Sequence, residues 1–234
     1  HESLRTVFVL KEGVPVQQVL ERVDFVIDEM GCVPDVTTAI SNFRVPFDLS
    51  KAPLLRVGLL ELSAEEHLLL VDNHHIVSDG VTNGLLIKEF MSIYKGDVLP
   101  ELEIQYKDYA VWQQSIEQQS ILEKQRAFWL DLYLGDIPML ELPTDYPRPE
   151  VSTNSGAVLD FNLDAVTTSK LSSLAKEEQT TLFVVLHSIY TILLSRLSGE
   201  EDIIVGTSVA GRHHADLENV AGVFINTLAL RSKP

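Results

Sequence analysis

Two aliphatic runs, residues 54–62 and 67–73, lie so close together that only one connection fits between them. Pro53 bounds the first, and a short polar turn through Ser63, Ala64 and Glu65 separates it from the second. Strands joined by so short a link pair antiparallel, so this stretch predicts a β-hairpin. Its second strand runs directly into Asp72-Asn73-His74-His75-Ile76-Val77-Ser78-Asp79-Gly80. Beyond Gly80 the apolar residues Leu85, Leu86, Phe90 and Tyr94 recur at helical spacing until Gly96 stops the run. The paired histidines therefore stand where a strand gives way to a helix, a junction whose loop can present side chains.

The rest of the chain continues the alternation. Residues 4–10 read as a strand, and a long amphipathic pattern over 108–134 reads as a helix. Trp112, Ile116, Phe128 and Leu132 are its candidates for burial, core packing being the ordinary role of such residues. Pro138, Pro143, Pro147 and Pro149 punctuate residues 135–156, where they favour extended backbone over helix. That stretch divides the chain into a first lobe, 1–145, and a second, 146–234. In the second, residues 158–163 predict a strand and Asp164 caps a helix through Ala175. A longer apolar helix over 181–197 ends near Gly199, and 203–209 and 223–230 predict two more strands. Strands interleaved with helices in both parts argue for an α/β (α+β) architecture, and no internal repeat is present.

Composition narrows the function classes. A chain of 234 residues with 45% hydrophobic content can bury a core, as one large domain or two lobes. A formal net charge of -16 with no basic tract sets aside duplex nucleic acid as a partner, because a phosphate polymer would meet a like-charged surface. Cys32 is the single cysteine, so there is no internal disulfide, zinc cluster or redox pair to build, which suits a reducing cytoplasm. The longest apolar stretch, 182–194, is interrupted by His187 and Ser188 and falls short of the roughly 18 residues a membrane helix needs. The chain opens at His1-Glu2-Ser3-Leu4 within patterned sequence and closes at Arg231-Ser232-Lys233-Pro234, so it is expected to be an internal piece of a longer protein.

The histidine stretch carries the candidate chemistry. A neutral imidazole, with a reference pKa of about 6.5, accepts a proton near neutral pH, which suits deprotonation of an attacking amine or stabilisation of its ammonium-like intermediate. Asp79 suits orientation of the loop by pairing with an arginine, and Gly80 lets a narrow substrate arm approach the backbone. By spacing alone two other readings stay open: a purely hydrogen-bonded turn, and a metal site. A metal would need a further ligand from elsewhere, and adjacent histidines leave a strand end in diverging directions. His213, His214 and Asp216 form a second such cluster, and neither pair has the offset of three to five residues typical of a zinc helix.

Residues 74–80 are similar to the His-His-x-x-x-Asp-Gly signature of nonribosomal peptide synthetase condensation domains, relatives in fold of chloramphenicol acetyltransferase. Three further stretches occur in that family's order. They are His1-Glu2-Ser3-Leu4-Arg5-Thr6-Val7-Phe8, Tyr106-Lys107-Asp108-Tyr109-Ala110-Val111-Trp112 and Gly222-Val223-Phe224-Ile225-Asn226-Thr227-Leu228. Residues 47–56 and 142–149 resemble its connecting segments. The resemblance implies a two-lobed acyltransferase-like fold around a tunnel, with the N-terminal lobe nearly complete here and the C-terminal lobe partial. It implies that His75 is catalytic, as base or as positioner of the amine, and that His74 orients and packs. It gives Asp79 a structural ion pair, with Arg5 or Arg231 as partner, and sets Gly80 beside the tunnel. Ser78, Asn226 and Thr227 would line or shape the channel, strand-end hydrogen bonding being the alternative for the last two.

The reaction implied is amide formation between a donor thioester and the amine of an acceptor thioester. Both ride on phosphopantetheine arms supplied by upstream and downstream peptidyl carrier domains, beside an adenylation domain, with no cofactor or metal bound directly. Residues 78–85 resemble the subgroup that joins an L-configured donor to an L-configured acceptor. The alternatives are a free-standing acyltransferase using coenzyme A and a catalytically silent docking module. A monomeric, cytoplasmic protein that binds neither membrane nor nucleic acid is expected.

Overall fold

A computed structural model describes residues 1–147, 149–151, 153 and 156–234. These divide into two units, His1–Lys124 with Val209–Asn226, and Gln125–Ser208 with Thr227–Pro234. The first unit opens with a 3-10 turn, Glu2–Arg5, that leads into β1 (Thr6–Lys11) and its antiparallel partner β2 (Val14–Val19). Glu12 and Gly13 join them with φ of 52° and 80°. A two-residue loop with both φ positive matches the twist of the flanking strands. β3 (Ile27–Cys32) leads to α1 (Val36–Phe43), whose first turn is capped by the Asp35 carboxylate accepting from the Thr37 N–H.

The predicted hairpin is present as β4 (Leu55–Ser63) and β5 (Glu66–Asn73). Its register runs from Leu55 opposite Asn73 to Ser63 opposite Glu66. β3 lies parallel on the other side of β4, giving the order β3-β4-β5. Leu54 and Leu60 are fully buried, and a Cβ at Gly58 would come within 2.9 Å of the Phe43 ring, so α1 packs on β4 through that glycine. The hairpin thus becomes a fixed platform whose free end delivers His74 and His75. α2 (Gly80–Tyr94) follows at once, and α3 (Tyr106–Trp112) and α4 (Ile116–Leu132) come next.

The single helix expected over 108–134 is therefore two, broken at residues 113–115. Ser115 accounts for the restart, since its hydroxyl accepts from the Gln118 N–H at the new N-terminus. The burial expected there is also corrected. Trp112 is 48% exposed, Ile116 87% and Phe128 61%, and Leu132 is half-buried. An amphipathic pattern marks a face but does not supply the surface that covers it.

The second unit holds α5 (Ala165–Glu177), α6 (Leu182–Ser198) and all but the end residues Val209 and Asn226 of β6 (Ile203–Val209) and β7 (Asn226–Ser232), the two strands forming their own sheet. The local signals for both helices hold: Asp164 accepts from the Thr167 N–H, Thr181 from the Val184 N–H, and Gly199 ends α6 in the left-handed region. Residues 158–163 do not form a strand, and Val158, Leu159 and Phe161 are exposed without a pairing partner. Arg231 anchors β7 by donating to both oxygens of Asp202, at 3.0 and 2.6 Å, and to the Leu132 carbonyl at 2.9 Å. In the proline-rich segment, Arg148, Ser152, Asn154 and Ser155 lie outside the described residues. Among the described residues no single helix is long and apolar enough to cross a membrane.

Candidate active site

The two histidines are treated differently by the turn that carries them. His74 extends the hairpin by donating its N–H to the Leu54 carbonyl at 3.0 Å. Its Nδ1 then accepts from the Ile76 N–H at 3.0 Å, capping the 3-10 turn His75–Val77. That acceptance requires a lone pair on Nδ1, so the neutral ring carries its proton on Nε2. The ring also meets Phe47 edge-on at 6.0 Å, and Phe47 lies 3.6 Å beneath the guanidinium of Arg56, which pairs with Asp72. His74 is thus committed to structure. His75 is exposed, and among the described residues no hydrogen bond, ion pair or ring contact holds its imidazole.

Asp79 fixes the far end of the turn. It caps α2, its Oδ1 accepting from the Thr82 N–H at 2.7 Å, while its Oδ2 accepts from the Phe224 N–H at 3.0 Å. Arg212 lies 3.4 Å from Oδ1, with side-chain exposures of 5% for the arginine and 0% for the aspartate. Burial alone would raise the carboxyl's pKa. The hydrogen bonds from Phe224 and Thr82, with the charge of Arg212, outweigh it and hold Asp79 below its ordinary value. The pair is sealed, so its role is to hold chain segments together and not to meet a substrate.

Those segments are far apart in sequence. Thr82, fully buried, donates its hydroxyl to the Gly222 carbonyl at 2.7 Å and accepts from the Gly222 N–H at 3.1 Å and from Arg212 at 3.0 Å. The hydroxyl of Tyr106 donates to the Val223 carbonyl at 2.8 Å, and Ser3 donates to the Ala221 carbonyl at 2.5 Å. Leu217, Val220 and Phe224 form a buried cluster under Tyr106 and Tyr109, and Arg212 stacks 4.0 Å over Phe224. A Cβ at Gly222 would stand 2.1 Å from the Tyr106 ring, and one at Gly211 would stand 1.8 Å from the Phe224 carbonyl oxygen. Residues 211–224 are therefore moulded onto the start of α2, immediately behind the histidine turn.

The partner of Asp79 is Arg212, which corrects the expectation of Arg5 or Arg231. Arg5 donates to the Leu20 carbonyl and pairs with Glu2 at 3.1 Å, and Arg231 is committed to Asp202. Gly80 opens α2 and is exposed, and a Cβ there would meet nothing within 4 Å, so packing does not demand the glycine. Ser78 is 2% exposed and its hydroxyl is engaged with Asn73 at 2.9 Å and the His74 carbonyl at 3.2 Å. Asn226 and Thr227 are exposed and open β7, which starts three residues later than the apolar run 223–230 implied, because Val223 and Phe224 are held against Tyr106 and Asp79.

Arg212, Thr82 and Tyr106 were not singled out as site residues by sequence reasoning. The available signals were that Tyr106 opens one of the family-like stretches and that Thr82 lies within residues 78–85, whereas nothing in the sequence marked Arg212. His214 Nδ1 accepts from the Asp216 N–H at 3.3 Å, so this second histidine cluster caps a short 3-10 turn. Among the described residues no group of three or more His, Cys, Asp and Glu side chains is placed to hold a metal ion. Two grooves, of about 750 and 790 Å³, run between α2 and residues 97–105, and neither is lined by the histidine turn. The candidate site is an imidazole raised on an open, braced surface.

Comparison with known proteins gives the family. The family model described as Condensation domain matches residues 1–234. Over the whole chain the sequence is 48% identical to gramicidin S synthase 2 of Aneurinibacillus migulanus and 47% identical to tyrocidine synthase 3 of Brevibacillus parabrevis. It spans only 5% and 4% of the length of those two relatives. A four-domain nonribosomal peptide synthetase bound to AMP and glycine superposes with a TM-score of 0.83 at 26% identity, over 100% of this chain and 18% of that one. The epimerization domain from the third module of tyrocidine synthetase B superposes with a TM-score of 0.84 at 22% identity, over 99% of this chain and 55% of that one, a likeness of fold. With the family model matched from end to end and the histidine turn built as described, the chain belongs to the condensation domain family.

Proposed function

We propose that this chain supplies the histidine-bearing part of a domain that forms an amide bond between two carrier-tethered substrates. The amine of the acceptor attacks the carbonyl carbon of the donor thioester, the C–N bond forms, and the C–S bond breaks. One proton leaves the nitrogen and one reaches the departing sulfur. His75 assists at the amine, as base or by holding it in position. The thioester already supplies the driving force, so the reaction calls for no nucleotide or metal. The phosphopantetheine arms belong to partner carrier domains and enter as bearers of substrate, with an adenylation domain loading them in the cytoplasm. The resemblance of residues 78–85 to the L-to-L subgroup supports an L-configured donor and acceptor.

The observation that carries this reading is the division of labour in the turn: every polar neighbour of His75 is committed to structure, and His75 alone is exposed and unengaged. The test is His75→Ala in the full-length synthetase, with both carriers loaded. Loading is expected to persist while amide product on the acceptor carrier falls by about 10²-fold or more, the usual scale of acid–base assistance. Product formation at the wild-type rate overturns the assignment of His75, and absence of amide product from the wild-type protein itself would favour a silent docking role. Transfer to free amines from coenzyme A thioesters, without carriers, would favour the free-standing acyltransferase.

A further inference from the structure

We propose that Asn73 is a positioning residue for His75, its carboxamide acting as a strut between the histidine turn and helix α2. The inference rests on the reading of His75 given above. Asn73 is the last residue of β5, and asparagine is a poor strand former, so its presence there needs a reason. Its Oδ1 accepts from the Ser78 hydroxyl at 2.9 Å, and its Nδ2 donates to Oδ1 of Asn83 at 2.8 Å. The first bond closes a ring around residues 74–77, the segment that raises His75. The second ties that ring to the first turn of α2.

The other bonds of the turn do not do this. Ile76 N–H to His74 Nδ1, Val77 N–H to the His74 carbonyl and Ser78 N–H to the His75 carbonyl all lie within residues 74–78. They set the shape of the turn but not its tilt, and the bond from the His74 N–H to the Leu54 carbonyl ties the turn to the hairpin without reaching the helix. Asp79 seats α2 on residues 212–224, from behind. Among the described residues, only the Asn73 carboxamide links the end of the hairpin, the turn and the helix through one planar group, so it sets the angle at which the imidazole leaves the surface.

Replacement by aspartate keeps an acceptor for Ser78, and Asn83 can turn its own amide to donate, so both links survive. Replacement by leucine keeps the volume and removes both. In the full-length synthetase with loaded carriers, Asn73→Leu is expected to lower kcat for amide formation by about tenfold, as misplacement of a reacting group does, with KM for the acceptor unchanged. Asn73→Asp is expected to stay within about threefold of wild type, since its links are re-formed. Ser78→Ala and Asn83→Leu each remove one link and are expected to fall between, which keeps the idea testable if Asn73→Leu fails to fold. Wild-type kcat in Asn73→Leu, or equal losses in Asn73→Asp and Asn73→Leu, overturns the proposal.

Backbone amide exchange of residues 73–80 in the same proteins separates this idea from the catalytic reading. Faster exchange in Asn73→Leu with His75→Ala fully active would sink the catalytic role and leave the strut. Unchanged exchange would sink the strut whatever His75 does.

Discussion

Asp79 shows how one residue can decide a site without touching substrate. Its two carboxylate oxygens accept from Thr82 and Phe224 while Arg212 balances the charge, all out of water. Asp79→Asn keeps the shape, turns one acceptor into a donor facing an N–H, and leaves a buried guanidinium unpaired. Removing one partner of a buried pair costs about 3 to 5 kcal/mol. Urea melts of the full domain are expected to show that loss, and an unchanged midpoint would refute the role given to the pair. The aspartate was legible from its place in the motif, and its need of an arginine followed from its type. Arg212 itself was not legible, because 133 residues separate it from Asp79 and nothing local distinguishes it from Arg5 or Arg231.

At the scale of elements, the segment 211–224 meets α2 and α3 through contacts that tolerate no added bulk. Gly222→Ala would set a methyl 2.1 Å from the Tyr106 ring, which is itself held by its bond to the Val223 carbonyl and by Phe224 at 5.1 Å. Overpacking of this kind costs about 1 to 3 kcal/mol. In a Tyr106→Ala background the added cost of Gly222→Ala is expected to shrink, and simple additivity of the two changes would show that the methyl and the ring do not collide. Elements with local causes were legible: the hairpin from its short turn, α5 and α6 from Asp164, Thr181 and Gly199. Those that depend on partners were not. β3, with Asp28, Glu29 and Gly31, carries no strand pattern and exists because β4 pairs with it in parallel. Residues 158–163 carry a strand-like pattern and find no partner.

For the molecule as a whole, acid is the condition that tests the carboxylate network. Asp79 is held below its ordinary value against the opposing effect of burial, Asp35 by the Thr38 hydroxyl, Asp164 by the Thr167 N–H and Asp202 by Arg231. Asp48 is lowered to about 2, chiefly by the Ser50 hydroxyl. A carboxyl whose folded pKa is depressed binds its proton more readily when unfolded. Its stabilisation is complete above the unfolded value of 3.8 and is lost as pH falls through the folded one. Glu89, raised by burial, works the other way. Five depressed groups against one raised group predict a melting temperature that drops as pH is lowered from about 5 to about 2. A rise over that interval would show that these contacts do not stabilise the fold.

The sequence by itself determined what neighbours along the chain can settle. A short turn forces a hairpin, a cap starts a helix, and a signature at their junction places His75 and names a family. Tertiary structure alone decided that Arg212 answers Asp79, that residues 211–224 brace the start of α2, and that Trp112, Ile116 and Phe128 stay exposed. The reason is physical: backbone preference acts over a few residues and is written in spacing, whereas burial and charge pairing depend on which distant segments the folded chain brings together.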